Sequence, residues 1–114
     1  MVTIPKESVL LRIFLGESDR HGQQPLYETI VLKAREAHLA GATVLRGPMG
    51  YGATSRLHTA KILQLSDDLP LIIEIVDSEE KINAFLPTLE TMMQGGLVTL
   101  EPVKVIRYQS HERK

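Results

Sequence analysis

Cysteine and tryptophan are both absent from this chain, and aromatic residues make up only 4% of it. Without cysteine there is no disulfide framework, no iron–sulfur ligation and no thiolate nucleophile. That is compatible with a reducing cytosol, and a cytoplasmic location is the expectation. A surplus of positive charge is missing too: 13 basic residues against 14 acidic ones give a formal net charge of −1. A sequence-independent nucleic-acid binder normally carries a basic excess to displace counterions, so nucleic acid is not an expected partner. Long apolar runs are lacking as well. The opening MVTIPKESVLLRIFLG holds only a short apolar stretch between Pro5 and Gly16, followed by no small-residue cleavage site. It is too short to cross a bilayer, so it reads as a strand and direct membrane insertion is not expected.

What is present is an ordinary globular composition of 114 residues, 43% hydrophobic and 24% charged. That length predicts one domain spanning residues 1–114, able to bury about two thirds of its unfolded surface in a single core. SVLLRIFL (8–15) is rich in β-formers and interrupted only by Arg12, which predicts the first strand. After the polar GESDRHGQQ, Pro25 suits the first turn of a helix, and Leu26, Ile30, Ala34 and Ala37 recur at helical steps. Gly41 is the expected C-terminal cap, with His38 on the helix's outer side, and ATVLRG the second strand. LPLIIEIVD (69–77) is nearly continuous in β-branched residues, the mark of a central strand buried on both faces. Asp77 or Ser78 then caps a helix striped by Ile82, Phe85, Leu86, Leu89, Met92 and Met93, with Pro87 expected to kink or bend it. LVTLEPVKVIRY (97–108) forms the last strand, where Pro102 marks a bulge or an edge, and residues 109–114 are a polar tail.

The order β-α-β-loop-β-α-β predicts an α+β ferredoxin-like βαββαβ sandwich: a four-stranded antiparallel sheet with two helices on one face. The other face is then bare. An apolar sheet face left open is a patch that monomers seldom tolerate, so oligomerisation through that face is expected.

One stretch does not fit a core. RGPMGYGATSRLHTA (46–60) concentrates Gly47, Gly50 and Gly52 within six positions and follows them with short polar side chains. Glycines let backbone N–H groups converge on an anion, although no Gly-Lys-Ser/Thr follows to make a Walker loop; a plain mobile turn is the alternative. Arg46, Arg56 and Arg107 are candidates for the positive charge such an anion needs, since guanidinium forks suit phosphate oxygens. Glu74 stands in an otherwise apolar strand, where a carboxylate is costly unless paired or used by a ligand. The four histidines show no ligand spacing, and of these only His58 is a functional candidate; no metal site is expected. Asp67-Asp68 and Glu79-Glu80 read as turn formers and helix N-terminal charges. No Ser-His-Asp arrangement can be placed, so no catalytic residue is assigned and an enzyme is not expected.

Four local matches point to a family. GYG at 50–52 is similar to the glycine–aromatic–glycine that opens the T-loop of PII proteins, and His58-Thr59 to a His-Thr pair early in that loop. LPLIIEIVD resembles the strand after the loop, with Glu74 at its glutamate, and VKVIRYQ (103–109) resembles the C-terminal strand, with Arg107 at a nucleotide-contacting arginine. The chain resembles the PII signal-transduction superfamily, and more closely a PII-like family of uncharacterised bacterial and archaeal proteins. It departs from PII at Gln109, where a second arginine is usual, at QGG (94–96), where a phosphate-binding lysine is usual, and in having no tyrosine between Tyr51 and Tyr108.

The resemblance implies a non-enzymatic homotrimer binding an adenine nucleotide (ATP, ADP or AMP) in clefts between subunits. A flexible loop over about 47–66 would signal to a partner, a transporter or a metabolic enzyme. The ligand-binding candidates are Arg46, Gly47, Gly50, Tyr51, Gly52, Arg56, His58, Glu74 and Arg107. Two other readings use the same sandwich: a small dimeric α+β barrel-type enzyme with a pocket between sheet and helices, and a CutA-like trimer binding divalent metal.

Overall fold

The computed structural model describes residues 3–51, 58–59 and 69–109. In chain order the elements are β1 (Glu7–Gly16), β2 (Arg20–His21), β3 (Gln24–Pro25), α1 (Leu26–Glu36), β4 (Thr43–Arg46) and β5 (Met49–Gly50). They continue with β6 (His58–Thr59), β7 (Pro70–Asp77), α2 (Glu79–Met92) and β8 (Leu97–Lys104). Four strands form one antiparallel sheet in the order β4-β7-β1-β8, and two helices cover one of its faces, which is the expected sandwich.

The period-two geometry of strands sorts the residues. Leu11, Ile13, Leu15, Leu71, Ile73 and Ile75 point to the helices and are buried. They meet Leu26, Ile30 and Ala34 of α1 and Ile82, Phe85, Leu89 and Met92 of α2. The expected helical stripes are therefore the core stripes, except that Ala37 falls past the end of α1 and is exposed.

Three expectations about boundaries change. Helix α1 stops at Glu36, and the left-handed residue that closes it is His38 (φ 63°), not Gly41. The bonds Leu39 N–H to Ala34 carbonyl (3.1 Å) and His38 N–H to Arg35 carbonyl (3.0 Å) make a Schellman closure, with Leu39 packed against the core. A non-glycine in this region is disfavoured by about 1–2 kcal/mol, and Lys81 Nζ offsets part of that by donating to the His38 carbonyl. Pro25 lies one position earlier than expected, at the N-cap of α1 and in the β2–β3 ladder, a small hairpin that replaces the predicted polar loop. Strand β8 ends at Lys104 rather than at residue 108.

Helix α2 is capped by Ser78, whose Oγ accepts the Lys81 N–H at 3.2 Å. It runs on through Pro87, which sits on the exposed side, where water can satisfy the Asn83 carbonyl left without an amide partner. Pro102 does mark an edge. Because the Val105 N–H bonds inward to the Lys6 carbonyl (2.8 Å), the alternate positions 98, 100, 102 and 104 turn their backbone groups outward. Pro102 thus removes a donor from the free edge of the sheet without costing a bond to β1, a device that discourages edge-to-edge pairing. Gly96 (φ 94°) precedes β8, and a Cβ there would fall 2.7 Å from the Phe14 carbonyl oxygen.

Candidate functional site

β7 is central, between β4 and β1, and among the described residues only one of its faces is covered. Ile72, Glu74 and Val76 alternate onto the open face and are only half-buried, so among the described residues the expected burial on both faces is complete on one face only. The register sets out that face in rows. Leu45, Ile72, Phe14 and Leu97 form one apolar row, and Thr43, Glu74, Arg12 and Thr99 form the next. Val76, Leu10 and Glu101 form the third. Leu97 and Leu45 remain 55% and 45% exposed.

The middle row answers what Glu74 does in an apolar strand. Arg12 Nε donates to Glu74 Oε2 at 2.9 Å, and Arg12 Nη1 donates to Glu101 Oε1 at 3.0 Å. The guanidinium fork spans two strands and answers two carboxylates, leaving a net negative charge in the trio. The Glu74 hydrogen bond is the main influence holding the Arg12 guanidinium above its ordinary range; partial burial opposes it, and the charges of Glu101 and Glu74 add to it. Arg12 thus stays charged at any physiological pH. In the sequence Arg12 is only an interruption of an apolar strand. The available signal was that one charged residue interrupts each of the two central strands.

Two residues of the third row, Leu10 and Val76, lie in the floor of a groove of about 690 Å³. Leu10, Val76 and Glu74 lie beneath it, the turn from Ala40 to Thr43 bounds one side, and the segment from Val103 to Tyr108 bounds the other. Two sequence candidates, Glu74 and Arg107, therefore line a single groove. The Arg107 Nη2 donates to Gln109 Oε1 at 2.7 Å, so Gln109, where PII has its second arginine, holds the first one.

Arg46 is placed elsewhere. It ends β4 while Thr43, at the groove, begins it, and Arg46 is ion-paired with Glu17 of the β1–β2 turn. Arg46 and Arg107 therefore do not converge within one chain. Gly47 donates its N–H to the Pro70 carbonyl at 2.8 Å. A Cβ on either Gly47 or Gly50 would stand 3.1 Å from the Pro70 ring, so these two glycines admit a close approach of chains rather than supply a left-handed turn. Gly50 then pairs with His58, and Met49 with Thr59, in a two-residue ladder. Tyr51 is 71% exposed. Gly52 and Arg56 lie outside the described residues, as does most of the 47–66 segment. Among the described residues no group of three or more acidic or histidine side chains could hold a metal ion. No helix among them is long and apolar enough to cross a membrane.

Comparison with known proteins agrees with this geometry. The DUF190 family, described as Uncharacterized ACR, matches residues 8–105. A UPF0166 protein of Aquifex aeolicus (strain VF5) is 43% identical over 97 residues, covering 85% of this chain and 91% of that protein. A UPF0166 protein of Methanocaldococcus jannaschii is 36% identical over 104 residues, covering 90% and 95%. Among solved structures, a Thermus thermophilus protein described as PII-like signaling superposes with a TM-score of 0.66 at 16% identity, covering 91% of this chain and 94% of that one. CPII, a nitrogen regulatory PII-like protein from Thiomonas intermedia K12 bound to ADP, AMP and bicarbonate, gives a TM-score of 0.61 at 20% identity, with 89% and 90% covered. The fold is thus PII-like, and the chain belongs to the DUF190 family.

Proposed function

We propose that this DUF190 protein is a non-enzymatic regulatory module, a homotrimer whose subunit clefts take an adenine nucleotide and whose 47–66 segment relays occupancy to a partner protein. The observation that carries the reading is the groove on the open sheet face, where Arg107 and Glu74 line the same space as the apolar Leu10 and Val76. An apolar floor with a few polar groups at the rim suits a nucleoside, and a guanidinium at the edge suits its phosphates. The groove is open on the same face that an assembly would cover, so a neighbouring copy is the natural source of its missing wall. Arg46, at the far end of β4 and ion-paired with Glu17, would belong to a cleft formed with a different neighbour. The PII-like neighbour CPII, bound to ADP and AMP, supports the choice of ligand class.

The groove lies on the face away from the helices, whereas an α+β barrel-type enzyme needs its pocket between sheet and helices.

Calorimetric titration with ATP, ADP and AMP tests the proposal. At least one nucleotide binds, and Arg107→Ala weakens it about tenfold or more, the scale of a lost charge-assisted hydrogen bond. A flat response to all three contradicts the nucleotide reading.

A further inference from the structure

Both backbone groups of Ala40 are held by side chains from distant parts of the chain. Its N–H donates to Asp77 Oδ2 at 2.8 Å, and its carbonyl accepts the Tyr108 hydroxyl at 2.8 Å. Asp77 is 1% exposed at the end of β7, and its other oxygen accepts the Ser78 N–H at 2.6 Å. Lys81, in the first turn of α2, reaches both Asp77 (3.6 Å) and the His38 carbonyl. The turn between α1 and β4 is therefore pinned to β7 and α2, with His38 in its left-handed conformation as part of the joint. Tyr108 fastens the C-terminal segment to that pinned turn.

The consequence follows from topology. β8 is one edge of the sheet, and the turn at Ala40 leads into β4, the other edge. The segment after Lys104 thus leaves the β8 edge and spans the end of the open face, with Leu10 and Val76 of the two central strands beneath it. Val105 is tied by its N–H to Lys6, and Tyr108 is tied by its hydroxyl to Ala40. Between these two fastenings lie only Ile106, 85% exposed, and Arg107. A two-residue span fixed at both ends has little freedom, so the position of the Arg107 backbone over the groove depends on the Tyr108 bond.

We infer that residues 105–109 form a strap, and that Tyr108 is a positioning residue which sets Arg107 over the groove through its bond to Ala40. The inference rests on the reading of the groove as the ligand site, and it deepens it by naming how that site is kept in shape. The Tyr108 hydroxyl is the group that matters, because the ring can stay in place when the hydroxyl is removed.

Tyr108→Phe is the variant that tests this, with wild type, Arg107→Ala and the double variant in parallel. Limited trypsin digestion of the ligand-free protein reads the strap directly, since cleavage after Arg107 requires the segment to leave its seat. Appearance of the new terminus at residue 108 becomes roughly three- to tenfold faster in Tyr108→Phe, the range expected for one lost hydrogen bond. Titration with ADP reads the positioning. Tyr108→Phe weakens binding by a similar factor, and in the Arg107→Ala background it costs nothing further, because both changes act through one side chain. Unchanged cleavage after Arg107 overturns the strap. Faster cleavage with unchanged ADP affinity, or with losses that simply add to those of Arg107→Ala, overturns the positioning role. If wild type binds no nucleotide, the ligand reading fails and the positioning role with it, while the cleavage rates still decide whether the strap exists.

Discussion

On its helix-covered face the sheet buries Leu11, Ile13, Ile73 and Ile75 to 1% exposure or less, whereas on the open face Leu45 and Leu97 are about half exposed. The residues alternate along the same strands, so the sequence makes the two faces almost equally apolar: Ile73 and Ile75 look inward, Ile72 and Val76 outward. What separates them is the middle row of the open face. There Arg12 and Glu74, joined by Glu101 of the adjacent row, form an ion-pair network across three strands, and they fix the register with directional bonds. An apolar face crossed by an ordered charged row differs from an ordinary solvated one. It is suited to a partner that reproduces the same surface, because apolar rows supply area and the charged row supplies alignment.

The comparison can be broken by mutation. The largest effect is expected at Ile73→Ala, which empties a fully buried core position and lowers unfolding free energy by about 2–5 kcal/mol. Its neighbour Ile72→Ala removes the same atoms from the open face. If copies of the chain cover the open face, its cost in urea unfolding should grow with protein concentration, because one chain leaves that side chain half-buried. Equal, concentration-independent losses at both positions would show that the open face is covered within one chain. Next in size is Asp77→Ala, which leaves the Ala40 and Ser78 N–H groups without their acceptor. A loss of about 1–3 kcal/mol per buried donor is expected, measured by chemical denaturation. Asp77→Asn, which keeps one carbonyl oxygen, should lose less. If the two variants lose the same amount, the carboxylate is not the fastening.

Most of the architecture was legible because periodicity alone carries it. The three- and four-step apolar spacing of Leu26, Ile30 and Ala34, and of Ile82, Phe85 and Leu89, named the core faces of both helices. The β-branched run at 70–77 named the central strand. Features that depend on contacts across the chain were not legible. Gly41 is the residue propensity selects as a cap, yet Leu39 is the side chain that must reach the core, and that places the left-handed residue at His38. The short hairpin at 20–25 has no apolar alternation to announce it. Gly47 and Gly50 signalled a special backbone, but the reason, contact with Pro70, lies twenty residues or more away. Of the candidate site, Glu74 and Arg107 fall in one groove, while Arg46 is drawn to Glu17 instead. Arg12 and Tyr108 gain their roles only from register and from the crossing of the C-terminal segment.

The claim on which the rest depends is that copies of the chain bury their open faces against one another. Native mass spectrometry of the gently purified protein, compared with Leu97→Glu, measures this most directly. The account predicts three chains for wild type, with adenine nucleotide retained, and loss of the trimer when a carboxylate is placed in the apolar row at Leu97. A folded, soluble single chain as the wild-type species at micromolar concentration would contradict it.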